Sequence, residues 1–145
     1  MNQTHPLNEP LVSRHRARGY KGAPVVDPEA HPDPYMAAGS HPDVVARVWE
    51  ELGKSFPEEW RMMIYGSPGL LHSSGVVMAL AWGTAYAVRV PEKRLPEALA
   101  RGCTTTRTWS DGSVTDLGIQ MGPDWVFGNW VREEAQWLEE TSKGL

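Results

Sequence analysis

"YGSPGLL" (65–71) sets two glycines and a proline between the methionines of "RMMI" and a pair of leucines. No other stretch looks so much like a ligand loop, so its reading decides between a nucleotide fold and an antiparallel sheet. A phosphate-binding loop needs G-x-x-x-x-G-K-[ST] after a strand, because a ring of backbone N–H groups must surround the phosphate and a lysine must reach it. Here no lysine follows, and Pro68 removes an amide donor from the middle of the ring. Gly53-Lys54-Ser55 fares no better: it follows a helical pattern, and Val48 stands where the first glycine belongs. No G-x-G-x-x-G joins a strand to a helix either. Glycine inside an extended apolar run marks a bulge or a close backbone approach. The stretch therefore reads as a strand interrupted at Gly66 to Gly69.

Outward from it, "GVVMALAWG" (75–83) reads as a second strand and "TAYAVRVP" (84–91) as a third. Gly75 and Gly83 permit tight reversals, and strands so briefly separated pair antiparallel. On the N-terminal side, "SHPDVVARVWEELGKSF" (40–56) places Val44, Val45, Val48, Trp49 and Leu52 on one helical face. Ser40 caps this helix with Asp43 three residues on, Pro42 fits its first turn, and Gly53 ends it. On the C-terminal side, Pro91 closes the third strand. "EKRLPEALARG" (92–102) forms a helix with Leu95, Ala98 and Leu99 inward and Gly102 as its stop. "CTTTRTWSDG" (103–112) reads as a fourth strand and "DLGIQMGPDWVFGN" (116–129) holds a fifth. "NWVREEAQWLEETSKGL" (129–145) gives a terminal helix capped by Asn129, with Trp130, Ala135, Trp137 and Leu138 on its apolar side. The order α-β-β-β-α-β-β-α implies a two-layer α+β fold: an antiparallel sheet of about five strands with helices on one face and the other face exposed.

Six of the twelve prolines fall in residues 1–40, where apolar side chains are sparse and aperiodic. That segment reads as a Pro-rich extended arm, and 41–145 as the domain. The formal charge of −4 is not spread evenly. The arm is balanced, with Arg14, Arg16, Arg18 and Lys21 against Glu9, Asp27, Glu29 and Asp33, so the domain carries the whole negative excess. Nucleic acid would have to meet "RHRARGYKG" (14–22), through Arg14, Arg16, Arg18 and Lys21. No run approaches the roughly 18–20 apolar residues of a membrane helix, and "MNQTHPLNEP" has no apolar core of a secretory signal, so the expectation is a cytoplasmic protein with no membrane partner.

Cys103 is the single cysteine, which excludes an internal disulfide and a cysteine-rich zinc site. It follows a helix C-terminus, whose dipole raises a thiol pKa. The five histidines, His5, His15, His31, His41 and His72, form neither H-x-x-x-H nor H-E-x-x-H, so the sequence calls for no metal and no cofactor. His72 beside Ser73 and Ser74 reads as a turn. Seven tryptophans are more than a domain of this size readily buries, and the surplus suggests an aromatic pocket or a partner surface. The candidates are Tyr65, His72, Trp82, Arg89, Trp109 and Trp125; no catalytic residue is assigned.

"MMIYGSPGLL" through "VRVPEKRLPEALARG" resembles the N-terminal domain of TfoX/Sxy-type proteins and, more distantly, the YjbR/MmcQ group. Met63, Tyr65, Gly66, Gly69 and Leu70 look like the family's first strand, Gly75, Met78 and Ala79 like its second, and Arg89, Val90 and Pro91 like its third, with Gly102 ending the helix. The resemblance spans about residues 41–140 and implies the element order read above, with no established catalytic residue. The resulting expectation is a non-enzymatic interaction or regulatory module that binds a protein partner or a second copy of itself. Nucleic-acid binding through the arm, and a small-molecule binder or enzyme with a Trp-lined pocket, stand as the alternatives.

Overall fold

The computed structural model describes residues 5–17, 25–26 and 40–145. Tyr65 (φ 50°) and Gly66 (φ 80°) both occupy the left-handed region, the signature of a two-residue hairpin turn. The stretch that opened the sequence reading is thus two strands and not one interrupted strand. β2 (Arg61–Ile64) and β3 (Ser67–Leu71) pair from Ile64↔Ser67 to Arg61↔Leu70. Such turns favour Asn, Asp or Gly at their first central position, and a tyrosine there conceals the signal. Gly69, inside β3, is a close approach: its carbonyl accepts the Trp49 Nε1–H at 2.8 Å, and a Cβ would stand 2.6 Å from the Ala79 carbonyl oxygen.

β4 (Val77–Trp82) and β5 (Ala85–Arg89) continue the meander, and β8 (Trp125–Phe127) pairs with β5. β1 (Val25–Val26) pairs with β2 at the other edge, so the antiparallel sheet runs β1-β2-β3-β4-β5-β8. Leu70 faces Ala79 while Leu71 faces Val77, which leaves Met78 as a bulge. The expected fourth strand meets this sheet only through an isolated bridge between Thr104 and Phe127. β6 (Thr106–Thr108) forms a separate hairpin with β7 (Val114–Asp116), and the expected fifth strand divides into the single turn α4 (Leu117–Gln120) and β8.

The fold is α+β. α2 (Pro42–Ala46), the π-helical segment Arg47–Leu52 that continues it, α3 (Leu95–Ala100) and α5 (Glu133–Lys143) lie on one face, packing Val45, Val48, Trp49, Ala98, Trp137 and Leu138 onto Met63, Leu70, Tyr86, Val88 and Val126. The second face is not bare. α1 (Glu9–Ala17) and α4 cover it, burying Leu11, Leu117 and Met121 against Ile64, Leu71, Leu80, Ala87, Trp125 and Phe127. Among the described residues no helix is long and apolar enough to cross a membrane.

Residues 9–17 are helical where an extended arm was expected. Pro6 opens a 3-10 turn (Pro6–Asn8) and Pro10 falls at the second position of α1, sites where a missing N–H costs nothing. Three smaller expectations also change. His41, not Ser40, caps α2, its Nδ1 accepting the Asp43 N–H at 3.1 Å. Leu99 is 46% exposed because α3 spans only six residues before Gly102 turns it at φ 90°. Trp130 precedes α5 instead of lying on its inner face, and Asn129 is no N-cap.

Candidate functional site

On the α5 side of the sheet, a buried polar cluster joins the π segment, β5 and α5. Glu134 is fully buried, and its Oε1 accepts from Arg47 at 2.9 Å and from the Tyr86 hydroxyl. Its Oε2 accepts the Asn129 N–H at 2.7 Å and the Cys103 thiol at 3.5 Å. Arg47 also donates to Tyr86 Oη at 3.3 Å and to the Val131 carbonyl at 2.9 Å. Burial works against the Arg47 charge, but the bonds to Tyr86 and Glu134 outweigh it and hold its pKa up. Burial and then Glu134 push the Tyr86 pKa up. Burial, reinforced by the Glu134 charge, pushes the Cys103 thiol up to about 12, so it is held as a thiol.

The cluster has an exposed aromatic member. Trp130 has φ 56°, its N–H donates to Tyr86 Oη at 2.7 Å, and its ring stands edge-on to Tyr86 at 5.4 Å and beneath the Arg47 guanidinium at 5.5 Å. Half of its surface remains open to solvent. A left-handed conformation at a bulky residue costs about 1–3 kcal/mol and persists only where the surroundings enforce it.

On the opposite face a cleft of about 170 Å³ lies between α1, the β2–β3 turn and the end of β4, lined by Leu11, Arg14, His15, Tyr65, Ser67 and Trp82 among others. The His15 and Tyr65 rings stack at 3.8 Å and 2°, and the Arg14 guanidinium stands 5.3 Å above the Trp82 ring. Trp109 lies 6.0 Å from Trp82, with Arg107 5.0 Å above it. Burial raises the Tyr65 pKa, opposed by Arg16.

The predicted site residues therefore separate. Tyr65 and Trp82 meet in the cleft, joined by Arg14 from the basic arm, with Trp109 at its rim. Arg16 is exposed on α1, and Arg18 and Lys21 lie outside the described residues. Arg89 and Trp125 pair with each other at 4.9 Å near the end of β5. Arg89 is buried, donates to the carbonyls of Val77 and Leu7, and has its pKa lowered by burial to about 10 against the pull of Asp124. His72 packs on Trp60 at 4.8 Å, away from the other candidates. Among the described residues no group of three His, Cys, Asp or Glu could hold a metal ion.

Sequence reasoning missed Arg47, Tyr86, Glu134, Trp130 and His15. Two signals were available: Arg47 sits within the apolar stripe of Val44 and Val48, and Glu134 shares a helical face with Trp137 and Leu138. A charge inside a buried stripe needs a buried partner, and these two are each other's. The chain matches no protein-family model, and no curated protein or solved structure matches it.

Proposed function

We propose that the chain is a non-enzymatic interaction module that presents Trp130 to a protein partner. The observation that carries this reading is the effort the fold makes to hold that side chain. Arg47, Tyr86 and Glu134, drawn from the π segment, β5 and α5, fix its backbone in an unfavourable conformation and leave its indole half exposed. A rigid tryptophan beside arginines is the composition of an interface hot spot, where a few large side chains supply most of the binding energy. Arg132, two residues on and with its side chain 95% exposed, supplies a polar rim. The resemblance to TfoX N-terminal domains supports a regulatory role, and a second copy of the chain is among the partners this surface would accept. A lone reduced thiol fits work in the cytoplasm. Nucleic-acid binding through the arm takes second place because Arg14 is drawn onto Trp82.

A photo-crosslinking residue at Arg132 tests the reading in extracts of the source cells. A protein adduct, with a second copy or another chain, is expected to form and to be lost in the Trp130→Ala background while surviving Ile119→Ala. Circular dichroism checks that both variants are folded. Identical adducts with and without Trp130 would overturn the proposal.

A further inference from the structure

At the opposite end of α5 from Trp130, two clefts of about 150 and 220 Å³ adjoin, and Leu7, Arg89 and Asp124 line both. They are independent of the Trp130 surface. Their walls are mostly apolar, with Pro10 and Pro123 in the first and Pro91 and Leu145 in the second.

Arg89 is only 7% exposed, yet it forms no ion pair with any described residue. Its Nε donates to the Val77 carbonyl at 3.1 Å and its Nη2 to the Leu7 carbonyl at 3.4 Å, while the guanidinium stands 4.9 Å from the Trp125 ring. Those hydrogen bonds occupy two of the five N–H groups of the fork, and Nη1 donates to no described group. A guanidinium taken out of water is costly unless a carboxylate meets it. Asp124 acts on it only through space: burial lowers the Arg89 pKa to about 10, and Asp124 pulls it part of the way back. The Asp124 side chain in turn forms no hydrogen bond or ion pair with a described residue. Glu140, the other carboxylate side chain among the described lining residues, is taken up by Arg94 at 2.8 and 3.0 Å.

A cation and an anion thus line the same space without meeting. A ligand with both charges on one carbon joins them, because a carboxylate fits a guanidinium fork and an ammonium supplies three donors to a carboxylate. We infer that the paired clefts bind a free α-amino acid with an apolar side chain, its carboxylate on Arg89, its ammonium on Asp124 and its side chain against the prolines. Each cleft is smaller than the roughly 300 Å³ at which drug-sized pockets begin, which suits a ligand of this size. Asp124 has φ 70°, a left-handed conformation that asparagine tolerates as aspartate does, so its charge can be removed while its turn is kept.

Calorimetric titration of the full chain at neutral pH tests this with two matched sets of probes. L-leucine is compared with 4-methylpentanoate, which lacks the ammonium, and with 3-methylbutylamine, which lacks the carboxylate; L-proline is compared with cyclopentanecarboxylate and pyrrolidine in the same way. Saturable binding of at least one of the two amino acids is expected, about tenfold or more tighter than either of its fragments. Asp124→Asn is expected to weaken that amino acid about tenfold, to the level of its deaminated fragment. Arg89→Lys, which keeps a cation but loses the fork, is expected to weaken it by a similar factor. A heteronuclear NMR spectrum confirms that each variant keeps its fold, and Asp124→Asn carries the test alone should Arg89→Lys unfold. Absence of saturation by both amino acids would overturn the inference. So would a deaminated fragment that binds as tightly as its amino acid, or affinity unchanged in folded Asp124→Asn.

Discussion

Three histidines use one device. The Nδ1 of His5, His41 and His72 accepts the backbone N–H two residues on, from Leu7 at 3.1 Å, Asp43 at 3.1 Å and Ser74 at 3.0 Å. The first two cap helical turns opened by proline, at His5-Pro6 and His41-Pro42. An imidazole can do this only while Nδ1 carries no proton. Burial lowers the His72 pKa below 6.5, a bond involving the Ser142 backbone opposes the shift, and His5 adds to it. Its folded form therefore binds fewer protons than its unfolded form in that interval, so stability is present above pH 6.5 and is lost as pH falls through and below it. The urea midpoint should decline as pH is taken from about 7 to about 5, and His72→Gln should flatten that slope. Equal slopes in both proteins would show that the Ser74 turn does not depend on a neutral imidazole. Residues such as these mark where sequence reasoning is weakest. Ser40 is a better cap than His41 by statistics, and Tyr65 a poor turn residue, yet the chain uses the less favoured side chain in both places.

The side chain of Asn8 latches the start of α1 to the sheet by two hydrogen bonds. Asn8, buried just before the helix, donates from Nδ2 to the Gly75 carbonyl at 2.7 Å and accepts the Val77 N–H on Oδ1 at 2.9 Å, pairing as another backbone segment would. Replacing the amide nitrogen by oxygen sets two acceptors against each other. Asn8→Asp is expected to cost about 1–3 kcal/mol, and more if the carboxylate stays charged. Amide hydrogen exchange should locate the loss in α1, whose protection falls while that of β4 and β5 stays higher; a uniform fall across all three would argue against a local latch. The expected short apolar runs are strands in the structure, and the amphipathic 40–56 segment is helical at its start, because period and punctuation are properties of neighbouring residues. α1 was not legible. Only Leu11 and Val12 of its nine residues are buried hydrophobics, and its prolines carry the same mark in an extended arm as in a helix's first turn.

At the scale of the molecule, helices on both faces of the sheet bury all five residues of β5 in succession, "AYAVR". Such a run is what a strand covered on both sides looks like, and it was the readable sign that the second face is covered. What covers it could not be read, because part of the contact is made by α1, more than sixty positions away. Cys103 lies between the end of α3 and Glu134, with its thiol raised to about 12. The folded protein should therefore resist a chromogenic thiol reagent, and labelling should follow global unfolding, becoming complete in urea. Rapid labelling without denaturant would show that the helical layer opens by itself. The long reach of α1 also has a meaning in time. Asn8 precedes its partners by 67 and 69 residues. At about 5–20 residues per second, the segment is synthesised roughly 3 to 14 seconds before the strand it docks on. The first described part of the chain to be synthesised thus waits for the strand that receives it.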